Sequence, residues 1–173
     1  MPKIKSIRMF YIQIAVVTAA FLALYYPFIM TMVADWDQND NYSHGYLIPF
    51  IVGFMIYSMR DELKSAAVKP ASWGLLVIIA GLCQLIVAKI GSEFFLQRTS
   101  LIVVLFGLTL FFWGKRVTAK VSIPLIYLLF MVPVPAIIWN RVAFPMQLFA
   151  SGITEHIITM IGIPILREGN VLH

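Results

Sequence analysis

From Met9 to Ala34 the chain carries no Asp, Glu, Lys or Arg, and most of its side chains are apolar. That length and composition match the roughly 20 residues needed to cross a hydrocarbon core. No water reaches backbone N–H and C=O groups there, so the segment must close its own hydrogen bonds as a helix. The same pattern recurs along the chain, which is 61% apolar and 12% charged with a mean hydropathy of +0.89. Such a composition excludes an ordinary soluble domain. The basic start, MPKIKSIR, looks at first like the beginning of a signal peptide. The apolar run behind it is too long for one and lacks a small-residue Ala-x-Ala exit, so it reads as a retained first helix.

Charged loops divide the remainder. The predicted spans cover about 9–34, 42–59, 73–88, 94–114 and 121–139, each near the length a bilayer asks for. Pro49 is tolerated because it falls in the first turns of its span. Pro70 and Ser72 offer a helix start for the third, and Gln97 and Arg98 interrupt one end of the fourth. Lys3, Lys5, Arg8, Arg60, Lys64, Lys69, Lys115, Arg116 and Lys120 then fall on one side of the membrane. Lys89, Arg98, Arg141 and Arg167 fall on the other. The positive-inside rule makes the N-terminus cytoplasmic and leaves everything after Trp139 outside. The net charge of +5 sits at the ends of apolar runs. It anchors and orients spans instead of forming a basic face for nucleic acid.

Between 140 and 161 the pattern turns amphipathic. Gln147, Ser151, Glu155 and Thr159 recur every four residues on one stripe, with Phe144, Leu148, Ile158 and Ile161 off it. This fits a helix lying in the outer interface, or a span lining a polar cavity, and the first reading is preferred. ILREGNVLH then reads as a short extended piece with a turn at Gly169 and Asn170, a strand without a partner. The expected architecture is an all-α integral membrane protein. It is a polytopic helical bundle in one domain over 1–173, with about five transmembrane helices, an outer interfacial amphipathic helix and a short extended C-terminal piece.

Few residues advertise chemistry. Ser43 and His44 lie in DNYSHGYLIP. Adjacent helical side chains diverge by about 100°, so the two are poorly placed as nucleophile and base. They read as a cap for the second helix with a head-group histidine, or as a contact for substrate at the outer mouth. Cys83, the one cysteine, lies among Leu82, Leu85 and Ile86. Apolar surroundings keep a thiol protonated and inert, so it reads as a packing residue. Glu155 and His156 diverge in the same way as Ser43 and His44. Arg98, Arg141 and Arg167, with Glu93 and Glu168, are placed to pair at the outer surface, to bind a carboxylate, or simply to anchor in the interface. No metal-ligand spacing or phosphate loop is present.

The order of the motifs is more specific than any one of them. Trp36 followed by YSHGYLIPFIV, then QRTSLIVVLFGLTLFFWG, then VPVPAIIWNRVAFPMQLFASGITEHIITMIGIPILREGN resembles the exosortase family of bacterial membrane proteins. Gln147, Gly162, Pro164, Arg167, Glu168, Gly169 and Asn170 fall in the family's order. The resemblance implies a multi-pass inner-membrane cysteine peptidase or transpeptidase linked to exopolysaccharide and surface-protein export. Its partners would be the lipid bilayer and exported proteins ending in a Pro-Glu-Pro-like motif, one span and a basic tail. No cofactor, metal or nucleic acid is implied. The family's cysteine, followed by Ser and Gly, and its basic partners are expected downstream of the REGN stretch and beyond His173. On that reading the chain is the N-terminal portion of such an enzyme, inactive by itself. The resemblance makes Trp36, Ser43, His44, Gly45, Arg167, Glu168, Gly169 and Asn170 family-motif positions at a possible substrate entrance, His44 foremost. The rival reading is a non-catalytic transporter or assembly subunit that keeps the same spans.

Overall fold

The computed structural model describes residues 2–162 and 165–172. Pro164, His173 and the side chains of Lys3, Lys5 and Arg8 lie outside the described residues. The chain forms two compact units, Met1–Pro133 and Val134–His173.

The described residues of the first unit form helices joined by short loops. Helix α1 runs from Pro2 to Gln38, α2 from Leu47 to Ser58, α3 from Arg60 to Ser65, α4 from Trp73 to Ile90, α5 from Phe94 to Trp113 and α6 from Lys115 to Tyr127. Two 3-10 segments, Asp40–Tyr46 and Leu128–Met131, complete it. Among the described residues three helices are long and apolar enough to cross a membrane: Met9–Gln38, Trp73–Ile90 and Phe94–Trp113. That is fewer than the five spans expected from the sequence. The segment at 42–59 opens as the 3-10 segment Asp40–Tyr46, with Asn39 accepting from the Asn41 amide, so α2 keeps 12 residues. At 1.5 Å per residue α2 rises about 18 Å, short of a hydrocarbon core of roughly 30 Å. The segment at 121–139 is broken where Pro133 and Pro135 remove backbone donors and push the residues before them out of the helical region.

Helix α1 instead runs one turn further than its apolar composition suggests, through Asp35, Trp36, Asp37 and Gln38. Asp35 and Trp36 both find partners elsewhere in the unit, described below, and these hold that turn. Helices α4 and α5 pack most closely. Gly74 faces the backbone of Phe111 and Gly107, and Gly107 faces Ile78, so a side chain at either glycine would drive the helices apart. In lipid there is little hydrophobic drive between helices, and small residues that allow close van der Waals approach take its place. Gly114 ends α5 at φ +82, and a Cβ there would run into the Lys69 carbonyl. The Lys69 amide, in the loop before α4, donates to Trp113 O at 3.3 Å at the same place. Glycine is therefore required both for the dihedral and for the contact. The core between the helices is built on Tyr25, Met32, Ile48, Val52, Leu101, Val104 and Val121, all buried.

Chain reversals alternate between two ends of the unit. Residues 59–72 and 114 turn at one end, where Glu62 on α3 meets Lys120 on α6 at 2.6 Å. Residues 39–46, 91–93 and 128–131 turn at the other.

The second unit consists of α7, Ala136–Met160, and a two-stranded antiparallel hairpin, β1 Arg167–Glu168 and β2 Val171–Leu172. The helix expected over 140–161 begins earlier, immediately after Pro135, whose fixed φ suits the position before a first turn. The C-terminal piece expected to lack a partner pairs with itself. Arg167 faces Leu172 and Glu168 faces Val171, and the reversal uses Gly169 at φ +68.

Candidate functional site

The motif at 36–46 is assembled around one indole. Trp36, buried on the last turn of α1, donates from Nε1 to Met131 O at 2.8 Å. Tyr46 sets its ring edge-on to the indole at 5.1 Å and donates its hydroxyl to Val33 O at 3.4 Å. Gly45 lies against the indole face, and a Cβ there would overlap the ring. His44 Nε2 lies 3.2 Å from Phe130 O. A carbonyl only accepts, so Nε2 carries the proton in this contact. Ser43 Oγ donates to Asp40 O at 2.9 Å, inside its own 3-10 segment. The expected helix cap at Ser43 is therefore not formed, because α2 starts after Tyr46 without a side-chain cap. Ser43 and His44 address separate carbonyls. Trp36 and His44 between them hold two successive carbonyls of the Leu128–Met131 segment, just ahead of the Val-Pro-Val-Pro run.

Beneath this clamp lies a layer of buried polar side chains on the first turns of α5, which the sequence suggested would interrupt the helix. The helix is continuous, because each of these groups finds a partner. Gln97 Nε2 donates to Ala88 O at 3.1 Å. Ser100 Oγ donates to Gln97 O at 2.6 Å, so its remaining role toward Tyr25 OH, 3.1 Å away, is acceptor. Gln84 on α4 donates to Leu96 O and Thr99 Oγ1. Arg98 Nη2 meets Asp35 Oδ2 at 2.5 Å, the guanidinium side chain 8% exposed and the carboxylate side chain 44% exposed. Within its own unit Arg98 thus pairs with Asp35, where the charge pattern had pointed to Glu93. The signal for the Asp35 pairing was only an acid at one helix end and a base at another.

In the second unit the polar stripe of α7 receives the hairpin. Arg167 Nε pairs with Glu155 Oε2 at 3.0 Å, and its Nη1 donates to Leu148 O at 3.1 Å. Ser151 Oγ, buried, lies 3.2 Å from Gly169 O, and Asn170 Nδ2 donates to Gln147 Oε1 at 3.2 Å. Three of the four stripe residues thus hold the REGN turn, while Thr159 bonds back to Glu155 O. The stripe that seemed to face water or a cavity is occupied by the chain's own motif. Glu168 remains exposed. Arg141 and His156 are exposed on α7, and His156 lies beside Phe149 and Ile153 instead of joining Glu155.

Cys83 is exposed on α4 and not packed inside the bundle, which corrects its expected packing role. Among the described residues no three of His, Cys, Asp and Glu gather closely enough to hold a metal ion.

Long apolar helices and glycine-mediated helix contacts define a polytopic helical membrane protein. The transmembrane exosortase (Exosortase_EpsH) family model matches residues 36–173, which begins at the clamp tryptophan and runs through the hairpin. The chain belongs to the transmembrane exosortase family. No curated protein and no solved structure matches it.

Proposed function

We propose that this chain supplies the membrane-embedded scaffold of a cysteine peptidase or transpeptidase. Its substrates would be exported proteins that carry a C-terminal sorting signal of Pro-Glu-Pro type, one span and a basic tail, in a pathway tied to exopolysaccharide and surface-protein export. The observation that carries the reading is the family match across both motifs, 36–46 and 167–170. The geometry agrees with a division of labour. In the first unit Trp36 and His44 hold backbone carbonyls, and in the second Arg167 and Asn170 fix the hairpin on α7, the work of scaffold residues. Cys83, on an apolar helix surface, is assigned no chemistry. The nucleophile would come from the cysteine motif that the family places after the REGN stretch. Its thiolate would attack a backbone carbonyl, expel the amine of the signal's C-terminal portion and leave a thioester for transfer.

The proposed setting is the bacterial inner membrane with the N-terminus cytoplasmic. The gathering of Arg60, Lys64, Lys69, Lys115, Arg116 and Lys120 at one end of the first unit supports that orientation. The test is a secreted reporter ending in such a signal, produced in cells that express the gene from its own locus with the DNA that follows codon 173. Shortening of the reporter, lost when a downstream cysteine is replaced by Ser and kept in Cys83→Ala, is expected. An intact reporter, or processing abolished by Cys83→Ala, would overturn the reading.

A further inference from the structure

We propose that Arg98 is a carboxylate-binding site at the clamp end of the bundle, with Asp35 as its internal occupant. The incoming ligand is the carboxylate of an extended peptide arriving from the water at that end. The proposal deepens the functional reading above, since it concerns how a sorting signal with an acidic residue would be read.

Two observations carry it. The first is cost. Arg98 sits in the second turn of a membrane-spanning helix with its side chain 8% exposed, where a charge persists only with a partner and usually marks function. A buried ion pair is a poor source of stability compared with apolar side chains of similar size. The second is access. The partner is half in water, so the site opens on the Asp35 side and a second carboxylate can reach it without unpacking the core. A guanidinium fork suits two carboxylate oxygens side by side, so a peptide carboxylate is a chemically matched ligand for Arg98.

Displacement has a measurable signature. If Asp35 fills the site nine-tenths of the time, removing its charge strengthens an external carboxylate about tenfold, the reciprocal of the competent fraction. The experiment places the chain in nanodiscs of zwitterionic lipid with two labelled peptides. They are identical except for one residue between two prolines, Glu in one and Gln in the other, and binding is read by anisotropy. The Glu peptide should bind the wild-type chain more tightly. Asp35→Asn should strengthen the Glu peptide about tenfold and leave the Gln peptide unchanged. Asp37→Asn, which removes the same charge without touching Arg98, should change neither. Arg98→Gln should equalise the two peptides; should that variant fail to fold, the Asp35→Asn comparison decides alone.

Equal binding of both peptides to Asp35→Asn would overturn the site. So would weaker Glu-peptide binding accompanied by a lower melting temperature, which would make the pair a structural lock. Reporter processing that ignores Glu versus Gln rejects the site and leaves the function. Discrimination without processing does the reverse.

Discussion

The two family motifs do the same kind of work in opposite surroundings. At 36–46 the central holding group is buried and its acceptor is a backbone carbonyl on another segment: the Trp36 indole to Met131, with Gly45 pressed against the ring. At 167–170 the holding groups are the part-exposed Glu155, the exposed Gln147 and the buried Ser151, reaching a hairpin of two-residue strands. A donor lost in the first setting strands an acceptor away from water, whereas in the second water replaces the missing partner. The difference teaches that motif residues of equal specificity in sequence carry unequal energy in structure. The clamp should be part of the stability of its unit. The hairpin's polar contacts should be mainly positional.

The sharpest way to break this comparison is Gly45→Val. The added carbons must occupy the space of the indole, and overpacking of this kind costs about 3 kcal/mol. The expected result is a large loss of folded protein in detergent, read by thermal melting of the helical signal. A melting curve unchanged from wild type would remove the clamp from the stability of the unit. Trp36→Phe comes next. It keeps most of the apolar ring and deletes the donor to Met131 O, leaving that carbonyl unsatisfied at about 1–3 kcal/mol. Adding back a donor with a different shape, Trp36→His, should recover less than the full loss, because the ring contact with Tyr46 is also gone.

How much of this was legible beforehand depends on what each feature rests on. Helices α4 and α5 were readable to within a residue or two, because uninterrupted apolar runs bounded by Ser72, Gly91, Glu93 and Gly114 leave hydrocarbon no alternative to a helix. The polar stripe Gln147, Ser151 and Glu155 was readable as a stripe, since four-residue spacing is a local property. Its occupant was not, because the hairpin arrives from a different part of the chain. The same reason hid the Asp35–Arg98 pair and the extra turn of α1, both of which depend on contacts far apart in sequence. The segments at 42–59 and 121–139 misled for a different reason. Their hydropathy is that of a span, but hydropathy does not report where a 3-10 segment or a Val-Pro-Val-Pro run will break a helix.

A smaller effect tests the other half of the comparison. Arg167→Gln removes the ion pair with Glu155 and the donor to Leu148 O, both at the surface of α7. Exposed pairs of this type contribute roughly 0–1 kcal/mol. The expected outcome is faster hydrogen exchange at the hairpin amides, 168–172, with little change in the melting of the helical signal. A melting shift as large as that of Trp36→Phe would contradict the division into a stabilising clamp and a positional hairpin.

The smallest expected effect lies at the opposite end of the first unit, where Glu62 on α3 meets Lys120 on α6. Lys120's hydrogen bond, followed by its charge, holds the Glu62 carboxyl below its ordinary value of 4.5. A carboxyl depressed on folding contributes fully above the unfolded value, and the contribution is lost as pH falls through the folded one. The coupling between Glu62→Gln and Lys120→Met in a double-mutant cycle should therefore be measurable at neutral pH and vanish below the carboxylate range. High salt should also weaken it, since both side chains stand in water. Coupling that survived both acid and salt would mean that the α3–α6 contact is held by packing of the lysine stem. In that case the charged end of the unit would resemble the clamp more than the hairpin, and the contrast between buried and exposed tethers would have to be redrawn around apolar contact.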